Sequence, residues 1–458
     1  MKSTFPFIFL TIPILLFSQG RIDWAPDGSG LREIQKNTIV KITLPDRKVD
    51  TLVNANLLIP KGQTKPLQVR SFEYSADNQK VLIYTNTKRV WRQDTKGDYW
   101  ILDMVSKTLK QLGAKFPAST MMFAKISPDS KKVAYVQGHN IYVEDISSGT
   151  ITPLTSDGDS RLINGTFDWV YEEEFGCRDG FRWSPDAKSI AYWQIDARQI
   201  RNFLMINNTD STYSFNVPVE YPKVGEAPSP YKIGVVPVTG GKTRWMNIPG
   251  DPRQTYLPRM EWAGNSNELI VQQLNRKQNT SNLFYIQASD GTATSFYQEK
   301  DEAWIDVDGP EGWDWLQGGK SFLWQSEKDG WRHVYLVSRD GKKEICLTPG
   351  NYDVISISRI DEENNQLFFM ASPDNATQSY LYKTTLDGKG KASRISPINQ
   401  TGSHQYDISP KGKFARHNFS NAKTRPTTEW LNLPDNTPLD PSKSIDNQLE
   451  KAVSDLDI

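Results

Sequence analysis

Reactive and metal-binding side chains are scarce in this sequence of 458 residues, which holds two cysteines and four histidines. Cys177 and Cys346 stand far apart, and no C-x-x-C or Cys/His cluster exists, so no metal, redox centre or other cofactor is expected. A disulfide cannot be read from such spacing. Two buried free thiols acting as small apolar side chains are the simpler expectation. An excess of one charge is missing too: 54 Lys and Arg balance 54 Asp and Glu. That balance argues against a partner held by bulk charge, such as nucleic acid or an anionic membrane. A mean hydropathy of -0.58 excludes a polytopic membrane protein. What the chain does have is aromatics, 14 Trp, 18 Tyr and 19 Phe. They suffice for a large core and are too many for a disordered chain.

The first twenty residues read as an address. Met1-Lys2 supplies a positive start, Phe5 to Phe17 an apolar run with two prolines, and Ser18-Gln19-Gly20 a small, polar end. That run is shorter than the roughly 20 residues that span a bilayer, so 1–20 is expected to be a cleaved signal peptide. The alternative is an uncleaved anchor, with no cysteine nearby to take a lipid. Secretion with so few cysteines suggests a bacterial periplasm, with no membrane contact after cleavage.

One phrase recurs from there on: an apolar residue, a Ser/Ala-Pro-Asp or degenerate turn, then a β-rich run. It begins at Trp24 (WAPDGSGL), Tyr74 (YSADNQKVLIY), Ile126 (ISPDSKKVAYV), Trp183 (WSPDAKSIAYW), Trp262 (WAGNSNELIVQ), Trp315 (WLQGGKSFLWQ), Ile360 and Ile408. Most copies are followed by a second strand with its own Asp-Gly or Ser-Gly turn, as in 140–149, 282–291, 333–341 and 380–388. A unit of about 50 residues with roughly four short strands is the signature of a propeller blade. The expected fold is all-β, an eight-bladed β-propeller of mostly four-stranded antiparallel blades over residues 21–440. The competing arrangement is a pair of β-sandwiches. The longest interval, Trp183 to Trp262, must hold an insertion, and its Pro-rich stretch 217–232 reads as an extended loop. Helical patterning is almost absent until the tail. There Ile445, Leu449, Val453 and Leu456 form an apolar stripe, so 441–458 is expected to be a short linker helix.

The densest chemistry lies in Asp168-Trp169-Val170-Tyr171-Glu172-Glu173-Glu174-Phe175. A run of charge is ordinarily a solvated face. Here bulky aromatics flank it, and carboxylates held together in a partly dry place need a cation. Metals favour histidine or dispersed oxygens, whereas a primary ammonium offers three donors to two converging carboxylates. An amine such as a peptide N-terminus is the sharper hypothesis.

DWVYEEEF followed by FRWSPDAKSIAYW resembles the propeller of the dipeptidyl peptidase IV family of serine exopeptidases. The blocks KRVWRQDTKGDYWILD (88–103), YPKVGEAPSPYKIGVV (221–236), MNIPGDPRQTYLPRMEWA (246–263), DEAWIDV (301–307) and SEKDGWRHVYLV (326–337) resemble its bacterial branch. The resemblance runs from about residue 25 to the end. It implies that Glu173 and Glu174 grip the free amino terminus of a peptide. Arg92 would reach the carbonyl between the first two substrate residues. It also implies a serine-type dipeptidyl peptidase that releases Xaa-Pro or Xaa-Ala dipeptides, with the propeller gating substrate entry.

The sequence departs from the family in one respect. The family's α/β-hydrolase domain carries its nucleophile in Gly-Trp-Ser-Tyr-Gly, and no G-x-S-x-G occurs here. Ser403-His404 is adjacent in sequence, reads as loop, and makes no triad. No catalytic residue can be named, and this chain alone is expected to be inactive. The hydrolase domain would be supplied in cis or in trans. Family members dimerise partly through propeller extensions and partly through the hydrolase domain. The full-length enzyme is thus expected to admit a homodimer, and this chain to be monomeric or weakly associated. The alternative function is a free-standing, non-catalytic propeller that binds peptides or proteins.

Overall fold

The recurring phrase is a hairpin turn closed by its own side chains. Ser75, Ser127 and Ser184 each donate a hydroxyl to the aspartate two residues on, Asp77, Asp129 and Asp186, at 2.5, 2.6 and 2.7 Å. Each hydroxyl also accepts the N–H of the first residue of the next strand, Lys80, Lys132 and Ser189, at 2.9 Å. The residue after each aspartate turns left-handed: Asn78, Ser130 and Ala187 have φ of 55°, 60° and 59°. Local side-chain bonds of this kind offer the backbone a turn in place of continued extension.

The structure is a computed structural model and describes residues 22–307, 312–433 and 435–443. The strands between these turns pair antiparallel with their sequence neighbours. They form arrays at 23–53, 71–111, 121–153, 162–245, 255–300, 315–346, 354–394 and 403–438. The second and third arrays are linked by one bridge, Gly97 to Met121, into a continuous eight-stranded sheet. The fourth has five strands and the rest have four.

Alternation along each strand gives two apolar faces, and neither can stay in water. The core is accordingly divided into clusters that lie between successive arrays. Val81, Ile83 and Leu102 pack on Ile39 and Val53, and Ala134 and Val136 on Ile190 and Val236. Ile270 and Leu283 pack on Phe322 and Trp324, and Phe368 and Leu381 on Ile408 and Ala415. One cluster joins the last array to the first, with Phe414 and Trp430 against Trp24 and Leu31. The Trp24 and Trp430 rings meet edge to face at 5.9 Å, and Trp24 Nε1 donates to Asp407 Oδ1 at 2.8 Å. Each large apolar side chain removed from water there contributes about 1.5–3 kcal/mol.

The all-β expectation holds, with one α-helix among the described residues, Trp169–Phe175. The insertion expected after Trp183 is a separate two-stranded hairpin, Asn202–Asn207 paired with Phe215–Glu220. The Pro-rich run is therefore not loop throughout, since its first residues belong to the second of these strands. Pro218 is tolerated because this strand pairs on one side only. Ser403-His404 is strand rather than loop, at the start of Ser403–Ile408. Both thiols are free; Cys177 is buried and Cys346 half-buried. The signal expected over 1–20 and the apolar stripe from Ile445 lie outside the described residues.

Candidate functional site

The acidic helix sits inside a broken strand. Leu162–Asn164 and Phe181–Trp183 both pair with Ser189–Asp196 along the same edge, and they flank the backbone of Trp193. Gly165 N–H donates to Trp193 O at 2.9 Å, and Trp193 N–H donates to Gly180 O at 3.0 Å. Gly180 N–H then donates to Gly165 O at 3.0 Å, closing the neck of the loop between them. A side chain at Gly180 would lie 2.7 Å from the backbone of Gly165 and Thr166, so only glycine fits.

Within the loop, Asp168 caps the helix. Its Oδ1 accepts the Tyr171 N–H at 3.1 Å and its Oδ2 accepts the Ser229 hydroxyl at 2.6 Å. Burial pushes this carboxyl above its ordinary pKa, while those two bonds oppose the rise. Gly176, at φ 65°, ends the helix in the left-handed region. The aromatics face inward: Phe167 lies 5.1 Å from Trp193, and Phe175 lies 5.3 Å from Tyr256.

A bulge in the next array anchors this assembly. In Thr255–Trp262, Leu257 and Pro258 together face one partner residue, which takes the Leu257 N–H out of the ladder. That N–H donates to the Tyr171 hydroxyl at 3.2 Å, and Leu257 O accepts Trp193 Nε1 at 2.9 Å. The Cys177 thiol reaches Pro258 O at 3.3 Å, and burial raises its pKa, so it is a packed thiol rather than a reactive one.

The three glutamates have different surroundings. Glu172 is half-buried and 3.6 Å from Arg178 Nε. Burial raises its pKa, with Arg178 opposing and Glu173 adding to the rise. Glu173, whose side chain is 17% exposed, pairs with Arg92 Nη2 at 3.2 Å. Glu174 is exposed. Arg92 comes from another array, at the two-residue turn between the long strands Lys80–Val90 and Gln93–Asp103. Its side chain is 80% exposed. The preceding Trp91 holds φ at 52°, uncommon for so bulky a residue. Arg178 Nη2 donates to Thr95 Oγ1 in the same hairpin, which ties that hairpin to the helix loop.

The structure thus brings Arg92 and Glu173 into contact, with Glu174 the next residue of the same helix and exposed. Sequence reasoning missed the Arg178–Thr95 tie and the Tyr171 anchor. It missed the helix as well, although Asp168 before it and Gly176 after it form an N-cap and C-cap pair that signals one.

Known proteins give this arrangement a family. The family model described as "Dipeptidyl peptidase IV (DPP IV) N-terminal region" matches residues 75–426. The probable dipeptidyl-aminopeptidase B of Phaeosphaeria nodorum is 25% identical over 410 residues, 82% of this chain and 44% of that protein. Dipeptidyl aminopeptidase B of Saccharomyces cerevisiae is 26% identical over 409 residues, 84% of this chain and 48% of that one. The chain spans about half the length of such curated relatives. The crystal structure of Porphyromonas gingivalis dipeptidyl peptidase 4 superposes with a TM-score of 0.84 at 26% identity, covering 94% of this chain and 61% of that one. With most of its length matched by the family model, and its fold shared with a bacterial relative, the chain belongs to the dipeptidyl peptidase IV N-terminal region family.

Proposed function

We propose that this chain is the substrate-gating propeller of a secreted, periplasmic dipeptidyl aminopeptidase, and that it reads the free amino terminus of a peptide. The arrays form eight blades in a ring. What supports the ring is the apolar cluster between the last array and the first, together with those between successive arrays. A hydrolase domain, in cis or in trans, supplies the serine, aspartate and histidine that cut after the second residue, releasing Xaa-Pro or Xaa-Ala.

The Arg92–Glu173 contact carries the reading. It is a loose pair, since one partner is almost wholly exposed, and such pairs contribute about 0–1 kcal/mol. An incoming ammonium, held by Glu173 and Glu174 together, exchanges with the guanidinium at little cost. The released Arg92, still beside the peptide, donates to the carbonyl that follows the first residue. The site thereby measures one residue from the chain end and rejects an acylated terminus.

The test is calorimetric binding of a tripeptide with a free amine, beside its N-acetyl form. Each charge-assisted bond is worth about 1.5–3 kcal/mol, so Glu173→Gln and Glu174→Gln should each weaken binding about 10- to 150-fold. The acetylated peptide should bind no better to the wild type than the free peptide binds to the variants. Equal binding of both peptides to both proteins would refute amine recognition. The blade count is tested by imaging the particle down its axis, where eight lobes are expected.

A further inference from the structure

We propose that the array 315–346 carries a site for one zinc-like transition-metal ion, held by Asp329, His333 and Cys346. Hairpin geometry assembles residues that are separate in sequence. Asp329 lies in the turn between Ser321–Ser326 and His333–Ser338, and Cys346 ends the neighbouring strand Glu344–Cys346. The register sets Tyr335 opposite Cys346, so His333, two residues before Tyr335, shares their face. One donor atom from each of Asp329, His333 and Cys346 lies within 4.8 Å of the other two.

Two of the three donors already meet. His333 is 1% exposed, and its Nδ1 lies 2.9 Å from Asp329 Oδ2. Its Nε2 is buried with no hydrogen-bond partner, so the polar contact of the ring is with Asp329 alone. Tyr335 is buried, and its hydroxyl interacts with both Asp329 and Cys346. Around tetrahedral zinc, with bonds of about 2.0–2.3 Å, donors stand about 3.3–3.6 Å apart. The His333–Asp329 pair must therefore open by about 0.4 Å and the widest pair close by up to about 1.2–1.5 Å. Asp329, on an exposed turn with 45% of its side chain in solvent, is free to make that adjustment.

The donor set selects the ion. An imidazole, a carboxylate and a thiol together suit a borderline metal such as zinc or cobalt, and the sulfur rules against calcium and magnesium. Three protein ligands leave the fourth position to water or to the Tyr335 hydroxyl. Cys346 binds as the thiolate. Binding one ion therefore displaces the thiol proton. The competing account is a hydrogen-bonded staple of Tyr335, Asp329 and His333, with Cys346 a bystander.

Cobalt(II) titration of the whole chain separates the two. The site predicts saturation at one equivalent, with thiolate-to-cobalt charge transfer in the near ultraviolet and tetrahedral d–d bands in the visible. Zinc should displace the signal. Cys346→Ser should abolish the charge-transfer band, and Asp329→Asn should weaken binding at least about tenfold, both with unchanged far-ultraviolet circular dichroism. No thiolate band at tenfold excess of cobalt, or a band that survives Cys346→Ser, would overturn the proposal. Neither outcome bears on amine recognition, which uses other residues.

Discussion

Tyr171→Phe removes one oxygen atom and tests how the acidic helix is fixed. Tyr171 is 1% exposed and Leu257 is fully buried, so no water can replace what is lost. The bulge at Leu257 and Pro258 takes the Leu257 N–H out of its sheet, and the tyrosine hydroxyl is where that N–H goes. Phenylalanine keeps the ring contacts with Phe167 and Phe175, so the variant isolates one buried donor left without an acceptor. Such a group costs about 1–3 kcal/mol. Amide hydrogen exchange is the direct assay: protection at Leu257 should fall about 5- to 150-fold, with smaller losses at Tyr171 and Glu172. Peptide affinity should fall as well, because Glu173 rides on the same helix. Unchanged exchange at Leu257 would refute the claim that this hydroxyl anchors the helix.

Two glycines of the same loop should separate steric from conformational cost. Gly180→Ala drives a methyl into backbone at 2.7 Å and should destabilise by about 1–3 kcal/mol, whereas Gly176→Ala meets open space and should cost about 1 kcal/mol for its left-handed φ. Comparable denaturation midpoints for the two would contradict this. His404 bonds Gln400 O and His417, which in turn bonds Glu429, and burial, reinforced by His417 and Arg394, lowers its pKa to about 4. The unfolded chain therefore takes up the proton first. Stability held above pH 6.5 should fall by up to about 3 kcal/mol as the pH drops toward 4, and His404→Gln should flatten that part of the midpoint-versus-pH curve. The hairpin Asn202–Glu220 exposes Phe203, Leu204, Met205 and Ile206 in one strand. Weak self-association is expected in sedimentation, and Leu204→Glu with Ile206→Glu should abolish it.

The repeated turn was the legible part of the fold, because Ser-Pro-Asp closes on itself with bonds that span five residues and need no distant partner. The arrays follow from it, since each strand pairs with its neighbour in sequence. The hairpin Asn202–Glu220 was harder to see: its exposed Phe203–Ile206 strand shows none of the inside–outside alternation that marks a strand facing a core. In the site, the family motif pointed to Arg92, Glu173 and Glu174. Nothing in the sequence showed that Arg92 touches Glu173, because that contact joins two arrays. The Tyr171 anchor was invisible for a similar reason. It depends on a register slip 86 residues away.

The broken strand at Trp193 also says how such a site could be gained or lost. Both hydrogen bonds of one backbone position are taken by Gly165 and Gly180, and those two glycines are bonded to each other. To the sheet, the whole loop counts as a single residue. Cut out and replaced by one amino acid, it would leave a continuous strand in its own array, but it would uncover Trp193 and Tyr256 and leave the Leu257 N–H without its acceptor. The strand itself thus tolerates exchange of the recognition element, while the next array constrains it: any replacement must again cover the bulge at Leu257 and Pro258.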